Sequence, residues 1–101
     1  MTSSETRSTV AMAQGVRVTD EDLVVELADG RTVTVPLAWY PRLLHGTPAE
    51  RGNWRLIGHG EGVHWPDLDE DISIDGLLAG RRSGEAHDTL RRWLEARGSP
   101  R

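Results

Sequence analysis

No cysteine, lysine or phenylalanine occurs among the 101 residues of this chain. Without cysteine there is no disulfide, no thiolate nucleophile and no cysteine-ligated zinc, a composition that fits a reducing compartment. Without phenylalanine, and with a single tyrosine, large apolar bulk falls to four tryptophans. Long hydrophobic runs are missing too. No stretch approaches the ~18 apolar residues of a membrane span, and residues 1–15 have no apolar signal-peptide core and include Glu5. The expectation is a cytoplasmic protein with no membrane partner.

The length has room for one domain. A chain of this size buries only roughly 60–65% of the surface that it exposes when unfolded, so a protein partner or a homodimer would help a small core. All twelve basic residues are arginine. Their distribution is uneven: residues 1–80 hold six arginines against thirteen acids, net −7, and residues 81–101 hold six against three, net +3. An acidic body carries a basic tail, and the economical use of that tail is to dock on residues 67–75 or on a second copy.

Residues 1–15, rich in Ser and Thr and without periodicity, read as a disordered tail. Residues 16–97 read as the domain and 98–101 as a flexible C-terminus. In "DLVVELADGRTVTVPL" the apolar residues alternate, with Leu23, Val25 and Leu27 on one face of a strand and Val33, Val35 and Leu37 on one face of the next. Asp29-Gly30 between them marks a tight two-residue hairpin loop. Pro36 ends the last of these strands because it has no amide hydrogen to give the ladder. "AWYPRLLHG" fits a short helix with Pro41 in its first turn, and Thr47-Pro48 starts another, with threonine as cap. "WRLIGHGEGVHW" is extended and punctuated by glycine. Ile72 and Ile74 share a strand parity, which turns Asp71, Ser73 and Asp75 to solvent and leaves Asp75 to cap a short helix closed by Gly80. "SGEAHDTLRRWLEARG" predicts an amphipathic helix capped by Ser83, with Ala86, Leu90, Trp93 and Leu94 on one stripe. The fold class is α+β: a small antiparallel sheet opened by an N-terminal β-meander and covered by short helices and the C-terminal helix.

The segments "DGRTVTVPLAWYPRL", "AERGNWRLIGHGEGVHWPDLDEDISIDGLLAG" and "SGEAHDTLRRWLEAR" together resemble the bacterial family catalogued as domain of unknown function 2442. The resemblance spans about residues 16–97. Its most specific part is the Gly-rich turn followed by Trp65-Pro66, Asp69-Glu70-Asp71 and Leu77-Leu78. The resemblance implies a small α+β protein whose gene often lies beside that of a second small protein, an arrangement suggestive of a toxin–antitoxin pair with this family in the partner-binding role. It brings no catalytic residue. Some members carry a helix-turn-helix that this chain lacks, so their DNA binding does not carry over.

"HWPDLDEDISIDG" concentrates the chemistry, with five carboxylates and a histidine in thirteen positions. Asp67, Asp69 and Asp71 have the spacing that opens an EF-hand loop, but Ile72 stands where that loop needs glycine and Leu78 where it needs glutamate. A looser Mg²⁺ or Mn²⁺ site on His64, Asp67 and Asp69 would support a metal-dependent hydrolase. Paired-carboxylate catalysis would need one acid in an apolar pocket, which Trp65 and Leu68 could build around Glu70 or Asp69. The plain alternative is a strand edge whose acids face water, cap a helix or pair with arginine. No serine-hydrolase elbow, phosphate loop or dinucleotide fingerprint is present. Arginines 81, 82, 91, 92, 97 and 101 could meet phosphates in a dimeric DNA-binding regulator, yet Glu85, Asp88 and Glu95 interrupt them and the net charge is negative. Nucleic acid is therefore a poor partner. Trp39, Tyr40 and Arg42 are of the residue types favoured in interfaces. The expected function is non-enzymatic protein binding, the partner being a product of an adjacent gene, with Trp39, Tyr40, Arg42, Trp65, Asp67, Asp69, Glu70 and Asp71 as contact candidates and no cofactor. At least two of the four tryptophans are expected in the core.

Overall fold

The computed structural model describes residues 11–98; the expected disordered tail over residues 1–10 and the last three residues of the expected flexible C-terminus lie outside them. Three strands, β1 (Ala13–Val18), β2 (Asp22–Leu27) and β3 (Thr32–Pro36), pair antiparallel in the order β1-β2-β3. The first begins at Ala13, ahead of the expected start of order at Val16, and absorbs a bulge between Ala13 and Gly15. The alternation of residues 23–27 does what its period requires, since Leu23, Val25 and Leu27 all point into the core. The hairpin loop is one residue longer than expected. Leu27 N–H donates to Arg31 O, enclosing Ala28, Asp29 and Gly30, and Gly30 takes φ 99°. Asp29 accepts from the Arg31 amide at 3.0 Å and from its guanidinium at 2.9 Å, which fixes the turn.

A 3₁₀ turn (Leu37–Trp39) leads into α1 (Pro41–Leu44) and α2 (Pro48–Gly52). Thr47 caps α2 as its sequence demands, and Glu50 completes a reciprocal capping box by accepting from the Thr47 amide at 2.8 Å. A second antiparallel sheet follows: β4 (Arg55–Ile57), β5 (Gly62–Trp65) and β6 (Glu70–Ser73), in the order β4-β5-β6. Then come α3 (Ile74–Leu78) and α4 (His87–Ala96). The architecture is α+β, two small antiparallel sheets with short helices and a C-terminal helix.

One apolar cluster joins the sheets, with Leu23, Val25 and Leu27 from the first and Val63, Trp65 and Ile72 from the second, together with Leu37, Leu43, Leu68, Ile74 and Leu77. Between the sheets the backbones almost touch. Ala13 N–H donates to Gly60 O at 2.7 Å, and a Cβ on Gly60, which has φ 111°, would stand 2.5 Å from Ala13 O. Only glycine fits there.

The helix caps depart from expectation. Ser73, expected on the solvent face of a strand, caps α3 by accepting from the Gly76 amide at 2.9 Å, while Asp75 lies in the first turn. Ser83 accepts from the Glu85 amide and so closes a turn ahead of α4, whose cap position is Ala86. Ala86 is exposed, and α4 packs Trp93 against the core, with Leu90 and Leu94 half-buried and no residue fully buried. Of the tryptophans only Trp65 is fully buried; Trp39, Trp54 and Trp93 pack partly buried around the cluster. Among the described residues no helix is long and apolar enough to cross a membrane.

Candidate functional site

The turn from Trp65 to Glu70 joins β5 to β6 and is pinned from inside. Trp65 is 0% exposed and donates its indole N–H to Arg51 O at 2.9 Å, and Leu68 is equally buried. With those two side chains inward, Asp67, Asp69 and Asp71 are left outward. Asp69 adopts φ 51°, a left-handed conformation that aspartate tolerates better than most residues, and its side chain is 90% exposed.

These acids do not converge. His64 pairs through Nδ1 with Asp71, Asp67 accepts from Asn53 Nδ2 at 3.0 Å, and Asp69 lies 3.8 Å from Arg42 Nη1. The three residues considered as a metal set thus face three different partners, because β-strand alternation and the turn send them apart. Among the described residues no group of three or more His, Asp or Glu side chains could hold a metal ion.

Two contact candidates prove to be core residues. Trp65 and Tyr40 are both buried, and the Tyr40 hydroxyl donates to Arg81 O at 3.0 Å. Arg42 is committed as well. Its guanidinium donates to both carboxylate oxygens of Glu85 at 2.7 and 2.8 Å and to Leu68 O at 3.2 Å, and it lies 4.9 Å from the centre of the Trp93 ring. That bidentate bond holds the Glu85 carboxyl below, and the Arg42 guanidinium above, their ordinary titration ranges. Trp39 stays half-buried under the Arg82 guanidinium, 4.9 Å from its ring centre.

Glu70 behaves differently from its neighbours. It shares strand parity with buried Ile72, so its side chain turns inward and is only half-exposed. Burial pushes its pKa up to about 7; Arg42 opposes the shift, and Glu85, Asp71 and Asp69 add to it. The Tyr40 hydroxyl is pushed up by burial and by the Glu70 charge. The cleft of about 180 Å³ that Glu70 lines is not the apolar pocket expected from Trp65 and Leu68: Tyr40, Ile72 and Leu77 share it with Asp71, Ser73, Arg81 and Arg82. Parity with Ile72 was the signal that could have singled Glu70 out. Glu85 and Arg81 carried no local signal, being placed by chain returning from the far side of α3.

The basic tail docks on the body, though not at residues 67–75. Arg97 donates to Glu50 at 2.8 and 3.1 Å and lies 4.7 Å from the Trp93 ring centre, while Arg91 pairs within α4 to Asp88 and Glu95. The Arg97 bond lowers the Glu50 carboxyl, helped by the Thr47 amide.

A family described as "Protein of unknown function (DUF2442)" matches residues 13–83. The match spans both sheets and α3 and stops short of α4. A crystal structure of a protein of unknown function from Rhodospirillum rubrum superposes with a TM-score of 0.65 at 28% identity, covering 76% of this chain and 95% of that one. A solution structure of an uncharacterised protein from Chromobacterium violaceum gives 0.66 at 22% identity, covering 93% of this chain and 83% of that one, a likeness of fold. No curated protein matches.

Proposed function

Since the chain belongs to the family of unknown function 2442, with no activity attached to it, we propose from the surface itself that the protein is a non-enzymatic binding module for a protein partner. The observation that supports this reading is the Trp65–Glu70 turn. Two buried side chains fix its backbone, and it holds exposed carboxylates outward from a body whose first 80 residues carry net −7. A turn that is rigid before contact loses little entropy on binding. Its charge would steer a basic partner surface toward it and occlude that surface once docked. The contact set narrows to Asp67, Asp69 and Asp71 with the rim of Trp39. The neighbouring-gene arrangement implied by the resemblance makes an adjacent gene product the first partner to test, as the other half of a regulatory or antitoxin-like pair.

Pull-down from cells expressing the chain with its flanking genes intact, read by mass spectrometry, is expected to return one stoichiometric protein. Charge reversal at Asp69 and Asp71 together should weaken that complex by tenfold or more, roughly the effect of close interfacial charges, while the protein stays folded. Unaltered affinity would sink the acidic-face mechanism.

A further inference from the structure

The cleft behind the acidic turn has walls of opposite charge that do not meet. Glu70 and Ile72 of β6, Gly76 and Leu77 of α3, and Arg81 and Arg82 that follow α3 all line it. Among the described residues the Glu70 carboxylate has no hydrogen-bonded or ion-paired partner, and neither does the Arg81 guanidinium. Burial desolvates the Glu70 carboxyl, with Arg42 opposing the effect and Glu85, Asp71 and Asp69 adding to it. Among the described residues Arg81 and Arg82 line the same cleft but form no ion pair with Glu70. Arg42 cannot swing over to help, because Glu85 and Leu68 O hold it.

The wall is shaped at the backbone. A Cβ on Gly76 would lie 2.8 Å from Ser73 Oγ and 3.4 Å from Arg81 Nε, so the absent side chain keeps the helix cap intact and lets the Arg81 guanidinium lie close. Tyr40 closes one side with its ring, its hydroxyl being used by Arg81 O. The volume of about 180 Å³ is below the ~300 Å³ of the smallest drug-sized sites and corresponds to about six waters at ~30 Å³ each.

We propose that this cleft binds a small zwitterion, a free α-amino acid, with its ammonium on Glu70 and its carboxylate on Arg81 and Arg82. An ammonium supplies the donors that Glu70 lacks, and a carboxylate is the planar acceptor that a guanidinium matches. Each charged hydrogen bond spans about 2.8 Å, so a ligand with its charges one carbon apart bridges walls too distant to pair directly. The aliphatic remainder of a small side chain meets Ile72 and Leu77. Binding selects the ionised carboxylate, so affinity rises between pH 6 and pH 8 and levels off above that. The groups that face Glu70 in this range are Tyr40, Arg42, Asp69, Asp71, Glu85, Arg81 and Arg82; of these, the arginines keep their charge throughout.

Titrating the ¹⁵N-labelled full chain at pH 8 with glycine, alanine, serine and the other common free amino acids singly, followed by amide chemical shifts, tests this. Saturable shifts at residues 70–77 and 81–84 are expected for a subset of small amino acids. Ethylamine and propionate, the two halves of the ligand, should each bind at least about tenfold more weakly, the scale of one charged hydrogen bond. Glu70→Gln and Arg81→Ala should each cost a similar factor, while Asp88→Asn on the exposed face of α4 leaves affinity unchanged; the Tyr40 contact uses the Arg81 backbone oxygen and survives the alanine. No saturable shift with any amino acid at millimolar concentration, equal binding of the half-ligands, or undiminished binding by Glu70→Gln would each overturn the proposal.

Discussion

Trp65 and Glu70 sit across from each other in the β5–β6 register, and substitutions at the two should move stability in opposite directions. Trp65→Ala removes the largest fully buried side chain and its bond to Arg51 O. A loss of about 3–5 kcal/mol is expected in urea unfolding. Glu70→Gln should stabilise the protein at alkaline pH. The folded-state pKa is raised to about 7 from an ordinary 4.5, so the native state holds a proton that the unfolded chain releases, and stability falls as pH rises from about 4.5 through 7. Glutamine removes that fall. The gain at pH 8 is about 1–2 kcal/mol once the solvent still reaching the carboxyl is allowed for, and it should vanish at pH 4; equal effects at the two pH values would refute the assignment. Part of this was legible in the sequence. Glu70 stands two positions before Ile72, which places it on the inward face, whereas its desolvation depends on Tyr40 and Leu77, which no local pattern ties to it.

Short elements divide into those held by their own sequence and those held by others. Helix α2 carries its capping box in four consecutive residues, and Thr47→Ala should cost about 1 kcal/mol in thermal or urea unfolding. Helix α4 has no side-chain cap and no fully buried residue; Arg42, Glu50 and Trp93 hold it through an ion pair at each end and stacked guanidiniums. Trp93→Ala is expected to erase amide-exchange protection over residues 87–96 while β2 and β5 remain protected. Loss of protection across both sheets would show that α4 belongs to the cooperative core. The same division explains what could be read beforehand. The first meander announces itself through five alternating positions and an Asp-Gly turn. The second sheet does not, since β4 has three residues and β5 opens on a glycine, leaving too few residues to establish a period. Its strands are fixed by pairing and by burial of Val63 and Trp65, both properties of the assembled molecule. Likewise the Arg42–Glu85 pair joins residues 43 apart, and nothing near either one announces the other.

At the scale of the molecule, a single apolar cluster drawn from both sheets predicts one cooperative unfolding transition, with tryptophan fluorescence and far-ultraviolet dichroism changing at the same denaturant concentration. Two separated transitions would mean that each sheet is stable alone. The seam between Ala13 and Gly60 bears on how the chain comes off a ribosome. The first meander is complete in sequence once Pro36 has emerged, but Leu23, Val25 and Leu27 have nothing to cover them until the strands ending at Ser73 follow. At about 5–20 residues per second that interval lasts a few seconds. During it a nascent three-stranded sheet shows a bare apolar face and an unmatched amide at Ala13, making this half of the protein the part most in need of a chaperone's cover.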